Sequence, residues 1–322
     1  MEIAIEKKIV RFYDILSSGG NEDLSSRIRE GEPMRRHTTM RVGGPADLFV
    51  EPAGLLEVAS LYNAAKKCGL PCFIIGNGSN LVVSDEGIEG LVISLGEPLS
   101  KIWFEDDADD ADFVLVHAFS GALLSRVAMV CAKRGLAGME FASGIPGSIG
   151  GAVYMNAGAY GSQMSDIVYR SVFLTSEGDL CTITGAEHAY GYRTSFFTSH
   201  EGVILSSILR LPTGDPKTIM DRIMELNGKR SAAQPISMPS AGSVFKRPQG
   251  HFAGALIEAA GLKGTAVGGA QVSEKHAGFI VNTGSATAKD VCDLVKMVRE
   301  TVKRHAGVDL EPEIKFVGRG FN

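Results

Sequence analysis

The sequence predicts an α+β chain. Three observations carry that class: helical apolar stripes at both ends, a strand–helix–strand unit near residue 50, and a middle segment of strands joined by polar turns. Residues 3–16 have the spacing of an amphipathic helix, and residues 19–30 read as a polar connection. "ADLFVEP" (46–52) reads as a strand. Residues 55–67 read as a helix because Leu55, Val58, Leu61, Tyr62 and Ala65 share one face, with Gly69 and Pro71 as the stop. "PCFIIG" and "GLVISL" read as further strands, and the strand–helix–strand order implies parallel strands joined by a right-handed crossover.

"KIWFEDDADDADFVLVHA" reads as two strands joined by an acidic turn, whose six carboxylates suit a solvated hairpin tip better than a cation site. A helix over 123–134 follows, then strands near 167–175, 180–184 and 203–211. "PTGDPKT" has the composition of a connection between domains. Beyond it come a helix over 219–228, the Pro-punctuated stretch "AAQPISMPSAGSVFKRP", and helices over 253–260 and 288–305. In the last of these Val291, Leu294, Val295, Val298 and Val302 form an apolar stripe, and Gly307 caps it. The tail "GVDLEPEIKFVG" reads as a strand with Leu310, Ile314 and Phe316 on one face and Glu311, Glu313 and Lys315 on the other.

A length of 322 residues, 44 % of them hydrophobic, allows two or three domains with real cores. The net charge of -5 gives no overall reason to bind nucleic acid. Charges interrupt the apolar positions of the first 18 residues, and no apolar run reaches the length of a membrane helix. The expectation is a cytoplasmic protein without a membrane partner, a monomer or weak oligomer. Five scattered cysteines suit reduced thiols, with no metal and no disulfide expected.

Two glycine loops stand out. "GNGSN" (76–80) follows a strand, but "LVVSDEG" after it reads as another strand, so the helix of a dinucleotide-binding turn is missing. A tight turn and a ligand loop both remain open for it. "ASGIPGSIGGAVYMNAGAYG" (142–161) has six glycines, no charge and no helical pattern. It reads either as a nest of backbone amides that neutralises an anion and lets a flat ring lie close, or as glycine-rich bends between tightly packed strands.

Together with "HTTMRVGGPADLFVEP", "YGYRTSFF", "PSAGSVFKRP", "GGAQVSEKHAGFIVN" and "LEPEIKFVG", these stretches occur in an order that resembles the UDP-N-acetylenolpyruvoylglucosamine reductases, the MurB family of bacterial cell-wall flavoenzymes. The short segment between "LRLP" and "AAQP" resembles the type II branch, which lacks a long tyrosine loop. The resemblance implies an FAD-binding fold of the vanillyl-alcohol-oxidase type. Its two subdomains would cover 1–100, joined by the strand 308–322, and 101–212, with a substrate-binding domain over 213–307. It implies NADPH as reductant, FAD as cofactor and a UDP-sugar as substrate, with a role in peptidoglycan synthesis.

Residue by residue, it implies FAD contacts from Gly76, Asn77, Gly78, Ser79 and Asn80, and from Gly144, Pro146, Gly147, Gly150, Gly151, Asn156, Gly158, Ala159 and Gly161. It implies catalytic roles for Ser243 as proton donor, and for Arg193 and Glu313 as stabilisers of an enolate. Without the motif, periodicity does not separate Glu313 from Glu311. Tyr192, Arg230, Lys246, Arg247, Gln271 and His276 are the implied substrate-binding residues, and His276 reads equally well as a structural histidine. The alternatives are an FAD-dependent oxidase or dehydrogenase of the same fold with another substrate, and a non-catalytic nucleotide-sugar binding module.

Overall fold

The computed structural model describes residues 2–20 and 22–321. Its contacts divide the chain into two compact units: Met1–Glu30, Leu48–Asn77 and Gly90–Gly228 form one, and Gly31–Asp47, Gly78–Glu89 and Lys229–Asn322 form the other. The expected cuts near 100 and 212 are not those of the contact units. Residues 31–47 and 78–89 fold with the C-terminal part of the chain, and 213–228 fold with the part before it.

The first unit is built on a five-stranded antiparallel sheet in the order Leu180–Thr184, Val168–Thr175, Gly202–Pro212, Phe113–Phe119, Ile102–Asp106. The acidic turn joins the last two strands as a hairpin, and Arg210 pairs with its Asp107 and Asp110. Helix Leu124–Lys133 buries Leu124, Val127, Ala128 and Cys131 in the same core as Val116, Phe141 and Leu209. Each fully buried aliphatic side chain of this size contributes about 1.5–3 kcal/mol. A second core joins Phe12 and Leu16 of helix Glu2–Ser18 to Val58, Leu61 and Tyr62 of helix Leu55–Cys68. Gly69 ends the latter helix in the left-handed region, as its position implies. Strand Cys72–Ile75 pairs in parallel with the Leu91–Ser94 part of strand Ile88–Ser94. Strand Ile88–Ser94 lies between Cys72–Ile75 and Pro45–Val50 in the sheet order, so the crossover joins strands that are not neighbours.

In the second unit, Ser240–Ser243, Phe279–Asn282, Ala270–Val272 and Ala266–Val267 form an antiparallel sheet in that order. The expected stripe of helix Ala288–Ala306 is buried in this unit's core beside Ala241, Val244 and Ile280. Thr287 and Asp290 form its capping box, and Gly307 ends it with φ +70°. Strand Lys315–Val317 runs parallel to Leu81–Val83.

Four expectations need correction. Residues 19–30 are not wholly irregular, because Glu22–Ser26 forms a short helix. "PTGDPKT" is not a free connection: Asp215 caps helix Pro216–Ala233 by accepting the Thr218 amide (3.0 Å), and Pro216 takes the first helical position. The tail is a strand only over Lys315–Val317. Pro312 has no amide to give a ladder, and it leaves a single bridge to Phe245.

The fourth concerns the uncharged glycine stretch, which contains helix Ile149–Met155. Gly150 and Gly151 hide it, each lowering helix propensity by about 1 kcal/mol. Burial of Ile149, Ala152 and Val153 holds it in place, and its first two amides are satisfied from outside. The Ile149 amide donates to the Ala122 carbonyl (2.8 Å) and the Gly150 amide to the Ser120 carbonyl (2.9 Å).

Candidate active site

The amides of Gly76, Asn77, Gly78, Ser79 and Asn80 donate to no group of the chain among the described residues. Neither do those of Gly144, Gly147, Ser148 and Gly151. Backbone donors left over in this way are met by solvent or by a ligand, and several on one loop suit an anion. The helix corrects the nest reading for part of the second loop, since the Ile149 and Gly150 amides are already used.

Within the first unit the two loops meet. Asn77 Nδ2 donates to the Pro146 carbonyl (2.6 Å), and a Cβ on Gly76 would lie 2.2 Å from Ser148 Oγ. A Cβ on Gly150 would lie 2.8 Å from the Ser120 Cβ. These glycines are therefore required by loop-on-loop crowding, whatever a ligand adds. Beside Gly151 the space is open: a Cβ there would meet only Ser148 Oγ, at 3.7 Å.

Sequence reasoning did not single out Ser120 and Ser148. Both hydroxyls are buried without a hydrogen-bond partner, and both adjoin the glycine cradle. An unpartnered buried hydroxyl costs about 1–3 kcal/mol unless something bonds to it. Ser148 stood inside the conspicuous stretch, whereas nothing in "FSGALL" marks Ser120. Orphaned hydroxyls, unclaimed amides and close glycine packing fit a polar, flat cofactor such as FAD.

The far end of the glycine stretch has another task. Asn156, buried and with φ +44°, ends helix Ile149–Met155. Its Nδ2 donates to the Gly191 carbonyl (3.0 Å) and its Oδ1 accepts the Ser165 amide (2.9 Å). Arg193 donates from Nη1 to the Asn156 carbonyl (3.3 Å) and from Nη2 to the Gly158 carbonyl (3.1 Å). Its φ is +59°, a left-handed conformation that costs a side chain-bearing residue about 1–2 kcal/mol. Tyr192, more than half exposed, lies beside the guanidinium, with 5.1 Å from its ring centre to the Arg193 Cζ. Ala159 pairs with Ser162 in a two-residue ribbon, and Gly161 has φ +90° with nothing near.

Within the second unit, Val244 links the other candidates. The Glu313 amide donates to the Val244 carbonyl (2.7 Å), and the Val244 amide donates to the Gly278 carbonyl (2.9 Å). Ser243 therefore sits on a strand next to Glu313. Ser243 is exposed at the end of its strand, after a register shift at which Gly242 has φ +81°. Asn80 secures the same place: its Nδ2 donates to the Glu313 carbonyl (3.2 Å), and its own carbonyl accepts the Lys315 amide (2.9 Å). A Cβ on Gly78 would strike the His37 carbonyl at 2.0 Å, so that glycine too is a packing requirement.

Glu311 and Glu313, equivalent by alternation, differ in their surroundings. Glu311 has 69 % of its side chain exposed and pairs with Lys246, while Glu313 is half-buried against the Ser243 strand. Of the substrate-binding candidates, Lys246 joins this group through that pair and through its amide, which donates to the Glu311 carbonyl. His276 joins it through Gly278, whose amide donates to His276 Nδ1 (3.1 Å). Burial holds the His276 pKa below that of a free histidine, so the ring is neutral at pH 7 with Nε2 carrying its proton. Arg247 stacks on Phe252 (4.0 Å), and Gln271 donates to the Gly264 carbonyl (3.1 Å). Arg230 lies half-buried on helix Pro216–Ala233.

Residues 46–184 match the family of FAD binding domains, and residues 234–317 match the C-terminal domain of UDP-N-acetylenolpyruvoylglucosamine reductase. The chain is 48 % identical over 297 residues to the reductase of that name from Agathobacter rectalis, covering 90 % of this chain and 94 % of the relative. The Lactobacillus delbrueckii subsp. bulgaricus protein of the same name is 42 % identical over 309 residues, covering 96 % and 99 %. The crystal structure of the Thermus caldophilus reductase superposes with a TM-score of 0.74 at 34 % identity, over 90 % of this chain and 99 % of that one. The chain carries an FAD-binding domain in an α+β fold, and it belongs to the UDP-N-acetylenolpyruvoylglucosamine reductase family.

Proposed function

We propose that the chain reduces the enolpyruvyl ether of UDP-N-acetylenolpyruvoylglucosamine to the lactyl ether of UDP-N-acetylmuramate, with NADPH as reductant. FAD, when bound, supplies the hydride that NADPH has delivered to it. The amides of Gly76 and Asn77, with those of Gly144 and Gly147, would hold the cofactor's pyrophosphate, and Ser120 and Ser148 would bond to its polar edges.

Hydride addition at the substrate's methylene carbon leaves negative charge on the neighbouring carbon and its carboxylate. Arg193 meets that charge with a planar, permanently protonated fork. Ser243 donates the proton to the carbon. A serine hydroxyl is a weak acid, so it serves only against a strongly basic carbon and from a fixed position. Glu313, whose amide bonds to the residue after Ser243, supports that transfer. Lys246, Arg247 and Arg230 supply cations for the diphosphate.

The observation that carries this reading is the Val244–Glu313 backbone bond, which ties the residue after the proposed proton donor to the residue of the proposed carboxylate. No helix among the described residues is long and apolar enough to cross a membrane. Ser243→Ala tests the assignment in single-turnover experiments. Flavin reduction by NADPH should persist while product formation falls by about 10²–10⁴-fold. Equal loss in both half-reactions would remove Ser243 from the role.

A further inference from the structure

The proposed chemistry gives Arg193 the substrate's developing charge. Arg193 occupies the third place of the turn 191–194, closed by the Gly191 amide donating to the Thr194 carbonyl (3.1 Å) and the Thr194 amide donating to the Gly191 carbonyl (3.4 Å). Its φ of +59° is one that glycine adopts freely. The turn alone therefore does not call for arginine there. A strained conformation kept at such a place points to the side chain as the reason.

The side chain of Asn156, from elsewhere in the sequence, bonds to the turn at the Gly191 carbonyl. Its Nδ2 donates to the Gly191 carbonyl (3.0 Å) and to Gln163 Oε1 (3.3 Å), and its Oδ1 accepts the Ser165 amide (2.9 Å). Its backbone carbonyl accepts from Arg193 Nη1, and the Gly158 carbonyl two residues on accepts from Nη2. The residue is 1 % exposed and has φ +44°. Asparagine is the side chain that both tolerates this backbone and presents a donor and an acceptor to opposite sides.

We propose that Asn156 is a positioning residue for the reduction step: it fixes the 191–194 turn through Gly191 and aims the Arg193 guanidinium through the carbonyls of residues 156 and 158. It acts through Arg193 and not by touching cofactor or substrate, so its role rests on the proposed function of that arginine. This places "MNAGAYG", expected from its resemblance to serve the cofactor, partly in the service of the substrate half of the reaction.

The test is made on the FAD-loaded enzyme, following flavin reduction by NADPH and flavin reoxidation by the enolpyruvyl substrate as separate stopped-flow steps. N156G keeps the left-handed backbone and deletes the side chain. N156D keeps the acceptor for the Ser165 amide and removes the donor to Gly191. Both should slow the substrate step by about 10–100-fold more than the NADPH step, the scale of a misplaced catalytic group. Against R193G, the double variant R193G/N156G should be no slower than R193G alone. If N156G does not fold, N156D carries the same comparison, with R193G/N156D as the double variant. Equal slowing of both steps, an unchanged substrate step, or multiplicative effects in the double variant would overturn the proposal. An unchanged substrate step in R193G itself would instead overturn the role of Arg193.

Discussion

Replacing Ser148 by alanine should move two measurable quantities in opposite senses. The hydroxyl is buried, with the residue 3 % exposed, and has no partner in the protein. Holding it there without a bond costs the flavin-free chain about 1–3 kcal/mol. Ser148→Ala removes that cost and leaves only a small void, so the flavin-free protein should gain about 1 kcal/mol. The same change deprives FAD of one hydrogen bond of about 1 kcal/mol, close to a fivefold weaker Kd. Thermal unfolding of deflavinated protein and titration of FAD by flavin fluorescence read the two effects separately. A lower unfolding midpoint would mean that the hydroxyl is satisfied within the chain. An unchanged Kd would mean that the cradle faces something other than the flavin.

Further expectations concern the second unit and the protein's response to acid. Glu313→Gln should lower kcat by about 10²-fold, the contribution of a placed acid–base group, whereas Glu311→Gln removes an exposed ion pair of about 0–1 kcal/mol and should leave kcat within a few-fold. Gly242→Ala forces a side chain into φ +81°, so stability should fall by about 1 kcal/mol or more, and kcat should fall with the misplacement of Ser243. His188 is fully buried: Nδ1 donates to the Gly185 carbonyl (3.1 Å) and Nε2 accepts from Ser171 Oγ (2.9 Å), and burial lowers its pKa. Because the unfolded chain then binds the proton more readily, stability is complete above about pH 6.5 and falls as pH drops from there towards the lowered folded pKa. The slope approaches about 1.4 kcal/mol per pH unit for each such histidine at most. His188→Gln should flatten that fall in denaturant titrations between about pH 5 and 8, and a parallel curve for the variant would exclude His188 as its source.

Regular elements with periodic apolar residues were legible from the residues alone. Helices Leu55–Cys68 and Ala288–Ala306 lie where their stripes and capping glycines place them. Helix Ile149–Met155 was not legible, because its two glycines and seven residues carry no periodic signal and its stability comes from burial and two external carbonyls. The tail showed the converse failure: alternation through Leu310–Phe316 suggested one strand, and Pro312 breaks it. At the site, alternation could not separate Glu311 from Glu313, since the difference lies in what packs on each: solvent and Lys246 for one, the Ser243 strand for the other. Nor could spacing reveal that Asn156 and Arg193 meet, because they stand 37 positions apart and only folding brings the turn to the helix end.

The most direct measurement is a visible spectrum of the purified protein, followed by NADPH consumption with and without UDP-N-acetylenolpyruvoylglucosamine. The expected result is the visible absorption band of a bound flavin and sustained NADPH oxidation only when the sugar nucleotide is present. A folded protein that takes up no FAD, or one whose NADPH turnover ignores the sugar nucleotide, would contradict the account.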